Sequence, residues 1–157
     1  MYCTNDLRTM QQYHGMITYV KSTIPVIENC QVSTQNIDMQ KLQIVKNDKM
    51  LDIITTYMSP KTSFTEVSRT INDVMCGVPS LPTILIGDMN INANNTTHQS
   101  FIWHIEKKLK LSQMMQYATT NEGSTIDLLF SNTGHNQIGS IPTYWSDHHI
   151  IYTTIPL

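Results

Sequence analysis

Three short polar clusters carry the side chains of this chain that could do chemistry. They are Gly87-Asp88-Met89-Asn90, Ser124-Thr125-Ile126-Asp127 and Trp145-Ser146-Asp147-His148-His149. Each cluster adjoins an apolar run typical of a strand, and strand ends are where a sheet presents side chains to a shared cleft. We therefore expect the acid, amide and imidazole groups of these clusters to converge on one site, although they are far apart in sequence.

The residue types in these clusters suit the hydrolysis of a phosphoester. Asp88 and Asn90 lie two residues apart, so in an extended segment both point the same way. The carboxylate could take a proton from water while the amide donates to a phosphoryl oxygen. Asp147 offers a hard oxygen ligand for Mg²⁺ or Mn²⁺, and His148 offers a donor to developing negative charge. Asp127 is suited to hold that imidazole in one tautomer.

Each of these residues also has a purely structural interpretation. Asp-x-Asn ahead of an Asn-rich stretch is more often a turn, because short polar side chains bond the local backbone. Asp127 could face water at a sheet edge, and Ser146-Asp147 could simply end a loop. His148 and His149 alternate across a strand, so at most one faces the cleft and the other is structural. The ordered set, rather than any member of it, carries the functional hypothesis.

The periodicity of apolar residues predicts the elements that position these clusters. Strands are expected at residues 15–20, 42–45, 51–57, 83–86, 125–130 and 150–155. A capping box formed by Ser63 and Glu66 predicts the start of a helix, which Gly77 ends, and a second amphipathic helix is expected at 101–109. This order of strands and helices indicates an α/β domain with a largely buried sheet.

Composition limits the class of protein. The chain has 157 residues, of which 40% are hydrophobic and 14% charged, as in a single globular domain. Its formal net charge of -2 provides no overall basic field, so any binding of a polyanion must be local. Three widely spaced cysteines suggest no disulfide framework, and no apolar run is long enough to cross a bilayer. An intracellular setting, nuclear or cytoplasmic, is expected.

The ordered set resembles the endonuclease/exonuclease/phosphatase superfamily, the DNase I-like fold that includes abasic-site endonucleases and the endonucleases of non-LTR retrotransposons. Residues 86–90, 125–127 and 146–148 carry the resemblance, in that order along the chain. The family also places a tyrosine ahead of a proline at the end of an earlier strand, which Tyr57 and Pro60 match. Taken alone, Tyr57 is more often a core aromatic. The resemblance implies a DNase I-like two-sheet α/β sandwich.

The resemblance also implies a role for each site residue. Asp88 would activate or position the attacking water and could be a second metal ligand, while Asn90 would contact the scissile phosphate. Asp147 would bind Mg²⁺ or Mn²⁺. His148, paired with Asp127, would stabilise the phosphorane. The tyrosine ahead of the proline, Tyr57, would hydrogen-bond the phosphate. The implied substrate is nucleic acid, most simply DNA.

The front of the family domain has no convincing counterpart in this chain. Family members begin with a strand that carries an asparagine, followed by one that carries the glutamate that is the principal metal ligand. Asn5-Asp6 lies ahead of any recognisable strand, and Glu28-Asn29 follows Pro25. We therefore expect residues 1–157 to form a single partial domain, truncated at its N-terminus, that binds magnesium weakly.

Three functions stay open at this point. The first is a metal-dependent DNA endonuclease of the mobile-element type. The second is a phosphatase or phospholipase that acts on a small or lipid phosphoester, since the same site serves those substrates and a fold does not fix a function. The third is an inactive, truncated remnant, which the missing glutamate suggests.

Overall fold

The protein is an α/β structure in a computed structural model that describes residues 2–5, 16–135 and 137–156. In chain order its elements are β1 (Tyr2–Asn5), β2 (Ile17–Val20), β3 (Val26–Ser33), β4 (Ile37–Lys46), β5 (Lys49–Met58), α1 (Phe64–Met75), β6 (Thr83–Asp88), a short 3₁₀ helix (Thr96–His98), α2 (Gln99–Leu109), β7 (Ser112–Gln113), β8 (Asp127–Ser131), β9 (Gln137–Ile141) and β10 (Ile150–Thr154). Among these residues, neither α1 nor α2 has the length and apolar character that a bilayer crossing requires.

A mixed sheet with the strand order β3-β4-β5-β6-β8-β7 forms the centre of the molecule. Strands β5 and β6 run parallel, and the other neighbours in this sheet run antiparallel. Helix α1 makes the crossover between the two parallel strands. Two further antiparallel pairs, β1 with β2 and β9 with β10, form small separate sheets.

The central sheet is apolar on both faces, which forces a layer of structure onto each. On one face, Ile54, Leu85 and Phe130 pack against the helices, together with Val67 of α1 and Ile105 of α2. On the other face, a second cluster contains buried residues of the central sheet and partly buried residues of β9 and β10: Leu51, Ile84, Leu129, Ile138 and Ile151. Because strand side chains alternate between faces, a single strand such as β6 contributes to both clusters.

The hairpin of β4 and β5 is the longest continuous pairing in the described sheet. The two strands are in register from the Ile37–Met58 pair to the Lys46–Lys49 pair. A two-residue turn joins them, and Asn47 and Asp48 both have positive φ, 51° and 59°. Such a turn matches the natural twist of the strands and favours Asn and Asp, which tolerate the left-handed region.

Helix α1 begins as its sequence predicts, with one difference. The side chain of Ser63 accepts a hydrogen bond from the backbone N–H of Glu66 at 3.2 Å, which is the expected cap. The carboxylate of Glu66 accepts from Thr34 Oγ1 at 2.9 Å and from Asn36 Nδ2 at 3.1 Å. The glutamate therefore ties the start of α1 to the turn between β3 and β4.

The predicted elements are present, with β4, β5 and β6 longer than expected and β2, β8 and β10 shorter. The predicted strand at 15–20 is β2, and its first residue, Gly15, lies outside the described residues. Strands β1, β3, β7 and β9 were not predicted, and Asn5, which was expected to lie ahead of any strand, is the last residue of β1. Strand β3 is a polar edge strand, in which Glu28 forms an ion pair with Lys41 at 3.6 Å. Glu28 pairs with Gln43, whereas the other end of β3 lies beside Asp38.

Candidate active site

A row of four polar side chains crosses the central sheet at one end. In register, Asp38 of β4 lies beside Tyr57 of β5, Tyr57 beside Asp88 of β6, and Asp88 beside Asp127 of β8. Directly paired residues project from the same face of a sheet. That face is the one packed against β9 and β10, because Ile86, two residues before Asp88, belongs to the cluster on it. The row therefore opens where the two layers of the sandwich meet.

A glycine brings Asp88 into this row. Gly87 has a φ of 147°, and a Cβ atom there would lie 1.9 Å from the carbonyl oxygen of Thr56 on β5. Only a residue without a side chain allows the two backbones to approach so closely. The glycine that precedes Asp88 in the sequence is therefore a requirement of the site's geometry.

Asp88 and Asn90 form a turn rather than the extended segment that their spacing suggested. Asp88 Oδ1 accepts from the Asn90 backbone N–H at 2.9 Å, and its Oδ2 accepts from Asn90 Nδ2 at 3.2 Å. Asn90 has a φ of 51°, and its Nδ2 also donates to the carbonyl oxygen of Met58 at 2.7 Å. The extended geometry was wrong because the carboxylate captures the amide two residues on. Both side chains still lie at the same strand end.

His148 is bound to Asp127 across the layers. The distances from His148 Nδ1 to the two carboxylate oxygens are 2.9 Å and 3.2 Å. A carboxylate ion can only accept, so Nδ1 carries the proton and Nε2 is the outer nitrogen. Burial lowers the pKa of His148, but the hydrogen bond and charge of Asp127, together with the charges of Asp88 and Asp147, outweigh it, and the pKa is raised overall. Asp127 is 8% exposed in an interior strand, so the alternative that it faces water at an edge is wrong.

Two residues that the sequence did not single out help to build this site. Thr119 is fully buried, and its Oγ1 accepts from the backbone N–H groups of Ile126 and Asp127, both at 3.0 Å. It fixes the start of β8 and with it the position of the carboxylate. Asp38 occupies the end of the row next to Tyr57. No pattern along the chain marks Asp38, because β4 contains several other polar residues.

Tyr57 is half-buried in the row, beside two carboxylates. Burial raises the pKa of its phenol most, and the negative charges of Asp88 and Asp38 raise it further. The phenol therefore remains protonated at neutral pH. A protonated phenol at this position is a hydrogen-bond donor for an anion.

Asp147 is exposed at the rim of the row. Its backbone carbonyl accepts from the Asn121 N–H at 2.9 Å, which anchors the loop that carries it. Burial raises the pKa of Asp88 most, and the charge of Asp147 adds to that rise more weakly than the charge of Asp127 does. Asp147 therefore lies within electrostatic reach of the row.

A group of possible metal ligands lies at the Asp127 end of the row. Among the described residues, ligand atoms of Asp88, Asp127 and His148 lie within 4.8 Å of one another. Because His148 Nδ1 carries the proton donated to Asp127, the carboxylate oxygens suit a hard divalent cation better than that nitrogen does. Burial raises the pKa of Asp88 most, and the negative charges of Asp127 and Asp147 raise it further. A bound cation would offset the repulsion between these charges. The residues present fit such an ion.

The other histidines have structural partners. His149 Nδ1 lies 2.8 Å from Ser140 Oγ, and its Nε2 lies 3.2 Å from Asn121 Oδ1, away from the row. The remaining described histidines bind neighbouring polar groups, namely His98 with Asn92, His104 with Ser68 and His135 with Thr153. His14 lies outside the described residues. One histidine of the described part of the chain, His148, thus belongs to the row.

Solved structures with the same fold include nucleases and other members of one superfamily. The endonuclease domain of TRAS1, a telomere-specific non-LTR retrotransposon, superposes with a TM-score of 0.73 at 14% identity, covering 99% of this chain and 80% of that chain. An endonuclease/exonuclease/phosphatase family protein from Leptotrichia buccalis C-1013-b gives 0.64 at 15% identity, with coverage of 99% and 70%. A humanized D. rerio TDP2 gives 0.63 at 15%, with coverage of 85% and 68%. These likenesses confirm the DNase I-like sandwich.

Sequence comparison identifies the family directly. No curated protein sequence matches the chain significantly. The family model described as endonuclease-reverse transcriptase matches residues 51–152, which include every site residue named above except Asp38. The chain therefore belongs to the endonuclease-reverse transcriptase family of the endonuclease/exonuclease/phosphatase superfamily, whose members are metal-dependent phosphodiesterases and phosphatases.

Proposed function

We propose that this protein hydrolyses phosphodiester bonds of nucleic acid, as a metal-dependent DNA endonuclease of the mobile-element type. The observation that carries the proposal is the convergence of Asp88, Asp127 and His148. Their ligand atoms lie within 4.8 Å of one another, although the three residues are far apart in the sequence. A half-buried carboxylate and a buried one beside an oriented imidazole suit in-line attack of water on a phosphodiester.

Five side chains of the site have a part in this reaction. Asp88 accepts a proton from the attacking water, whose oxygen bonds to phosphorus as the bond to the leaving oxygen breaks. Asp127 holds His148 by Nδ1, so that the protonated imidazole donates from Nε2–H to the negative charge that develops on the phosphoryl group. Tyr57 donates from its protonated phenol to the phosphate. Asn90 Nδ2 donates to the Met58 carbonyl oxygen in this structure. To contact the phosphate, it would donate to a phosphate oxygen in place of that carbonyl.

Asp88 and Asp127 would hold a divalent cation, with Asp147 as a further oxygen ligand at the rim. When bound, such an ion neutralises charge on the phosphate and lowers the pKa of a bound water. Mg²⁺ or Mn²⁺ suits this set, because both prefer oxygen ligands and are commonly held by only one or two carboxylates.

Nucleic acid is the favoured substrate because of the family and of one structural neighbour. The family model is described as endonuclease-reverse transcriptase, and one neighbour is a retrotransposon endonuclease domain. The net charge of -2 favours instead a small phosphoester, since no overall basic field attracts a long polyanion. A phosphatase or phospholipase activity is therefore the second candidate.

A nicking assay tests the proposal. The wild-type protein should nick supercoiled plasmid in Mg²⁺ or Mn²⁺, and Asp88→Asn should reduce the rate by roughly a hundred-fold or more, as loss of a general base does. Asp73→Asn is the matched control: the same charge is removed from an exposed position on α1, outside the row, and activity should not change. Equal losses in both variants would remove Asp88 from the mechanism.

The same preparation distinguishes the second candidate. Release of phosphate from an inositol phosphate, without plasmid nicking, would identify a phosphatase. Hydrolysis of neither substrate in either metal, by a protein with a cooperative melting transition, would identify an inactive remnant.

A further inference from the structure

An exposed pair of aromatic rings lies beside the candidate active site. Tyr144 is 95% exposed and Trp145 is 65% exposed, in the loop between β9 and β10. Their ring centroids are 4.6 Å apart at an interplanar angle of 85°. Large aromatic faces in water are unfavourable, so an exposed aromatic pair at the rim of a site indicates a surface that binds a partner.

Hydrogen bonds hold this loop in place. Thr143 Oγ1 donates to the His148 carbonyl oxygen at 2.9 Å, and the His148 N–H donates to Ser146 Oγ at 3.0 Å. Asn121 reaches from another segment, with its side chain donating to the Ser146 carbonyl oxygen at 3.3 Å and its backbone N–H to that of Asp147 at 2.9 Å. The segment that positions His148 also positions the two rings.

The rings lie within four residues of His148 along the chain. Trp145 precedes Asp147 by two residues and His148 by three. Three residues span at most roughly 10 Å. A phosphate at His148 therefore leaves its neighbouring base within reach of Trp145.

The chemistry of the loop favours a base over a phosphate. Residues 142–149 contain no Lys or Arg, and the chain as a whole has a net charge of -2. Affinity for a strand at this point cannot come from neutralising phosphates, whereas every base has a π-face that stacks on an aromatic ring. Bases inside a duplex are already stacked, so an unpaired base gains most from such a contact.

From these observations we propose that Tyr144 and Trp145 form a base-stacking platform that selects nucleic acid with an unpaired nucleotide next to the scissile phosphate. This inference rests on the proposed function and adds the class of substrate to it. The platform discriminates single-stranded, looped or frayed sites from continuous duplex. Since phosphate neutralisation contributes little at this loop, its part of the affinity depends weakly on salt.

Tryptophan fluorescence tests the platform without turnover. The chain has two tryptophans, and Trp103 is 60% exposed on α2, in the helical layer on the opposite face of the sheet. Trp103→Phe therefore leaves Trp145 as the single reporter. Oligothymidine, added in the presence of EDTA, should quench this reporter in a saturable way, and a blunt duplex of matched length should bind at least roughly ten-fold more weakly.

Variants separate the ring from its surroundings. By fluorescence anisotropy of labelled oligothymidine, Trp145→Ala should weaken binding by roughly ten-fold, Trp145→Phe should restore most of it, and the matched control Trp103→Ala should bind as the wild type does. Equal binding by Trp145→Ala and Trp103→Ala would overturn the proposal. So would quenching by vesicles of phosphatidylcholine and phosphatidylserine but not by oligothymidine, which would identify a lipid surface as the occupant.

Hydrolysis of bis(p-nitrophenyl) phosphate keeps the two proposals distinguishable. This diester has no base and tests the phosphodiesterase activity alone. Oligothymidine binding that depends on Trp145, without hydrolysis of the small diester, would reject the proposed function and keep the platform. Hydrolysis of the small diester with oligothymidine binding that ignores Trp145 would do the reverse.

Discussion

The contact between His148 and Asp127 decides what the imidazole can do. A neutral histidine held by Nδ1 presents a basic Nε2, and a charged one presents a donor. Burial alone lowers the pKa of His148, so its raised value depends on the carboxylate at 2.9 Å. Asp127 is thus a positioning residue that also sets the charge of its partner.

Replacing this carboxylate should lower the pKa of His148. We expect Asp127→Asn to remove both the charge and the acceptor for Nδ1–H, and to reduce kcat by roughly a hundred-fold or more with little change in KM. The pKa is measured by NMR titration of the imidazole C–H signals, and it should fall more than in Asp147→Asn, where a weaker contribution is removed. A smaller fall in Asp127→Asn than in Asp147→Asn would show that the contact does not control the histidine.

The sequence predicted some site residues better than others, for a physical reason. Asp88 and His148 stand in polar clusters at the ends of apolar runs, a local pattern that is visible along the chain. Asp38 and Thr119 have no such pattern. The position of Asp38 depends on the pairing of β4 with β5, and that of Thr119 on two backbone amides of another segment. Such contacts depend on how segments distant in the sequence are aligned with one another. The pattern of residues along a single segment does not show that alignment.

At the scale of elements, the close passage of β6 past β5 at Gly87 is the feature most sensitive to change. An added Cβ would lie 1.9 Å from the Thr56 carbonyl oxygen, and the φ of 147° is strained for any other residue. We expect Gly87→Ala to destabilise the protein by about 2 kcal/mol or more and to move Asp88 out of the row.

Thermal unfolding measures the first effect, and hydrolysis of bis(p-nitrophenyl) phosphate measures the second. Gly134→Ala is the matched control, because a Cβ there meets no atom within 4 Å. If Gly87→Ala and Gly134→Ala had equal melting temperatures, β5 and β6 would be able to move apart with little loss of stability, which would contradict this prediction.

The packing of α1 on α2 contains a group whose protonation should affect stability. His104 Nε2 lies 2.9 Å from Ser68 Oγ, and the ring packs edge-on against Phe64 with centroids 4.5 Å apart. Burial first, and the charge of Lys108 second, lower the pKa of His104. The unfolded chain therefore binds this proton more readily than the folded protein.

Acidification should consequently weaken the helical layer. The contribution of neutral His104 is complete above the unfolded pKa of about 6.5 and is lost as pH falls through the lower folded value. In His104→Gln the melting temperature should fall less on acidification than in the wild type. Adding His135→Gln, at another site where burial lowers a histidine pKa, should reduce the fall again. An unchanged pH dependence in both variants would contradict the linkage.

Secondary structure was predictable where apolar periodicity was strong. Both helices and the buried strand β6 follow from their patterns. Strand β3 has no fully buried residue and takes its place by pairing with β4, while β7 has two residues, Ser112 and Gln113. Elements of this kind exist because a neighbour offers them hydrogen bonds, and their own sequences give little sign of it.

For the whole molecule, the site joins segments that come from both layers of the sandwich. Asp88 and Asp127 belong to the central sheet, whereas His148 precedes β10 in the small sheet. The fold class followed from the order of strands and helices together with the family resemblance. The order of strands in the sheet did not follow from the sequence. Strands β6 and β8 are neighbours in the sheet, although α2 and β7 lie between them in the chain.

Binding of a divalent ion to the row should stabilise the entire fold. An ion that binds only the folded state adds about 1.4 kcal/mol at ten times its Kd. We therefore expect Mg²⁺ or Mn²⁺ to raise the melting temperature in calorimetry and EDTA to reverse the rise. The rise should shrink in Asp88→Asn and persist in Asp73→Asn. An identical rise in these two variants would place the ion elsewhere.

The hairpin of β4 and β5 also bears on the order in which the molecule assembles. Its turn of Asn47 and Asp48 closes a short loop, and its pairings are local along the chain, so it can form within microseconds and with little loss of chain entropy. Asp38 and Tyr57 are brought side by side in that first event. Asp88 and then Asp127 join across much longer loops, and His148 docks with the last hairpin. During synthesis the row would therefore assemble from Asp38 towards Asp127, and the group of Asp88, Asp127 and His148 would be completed last.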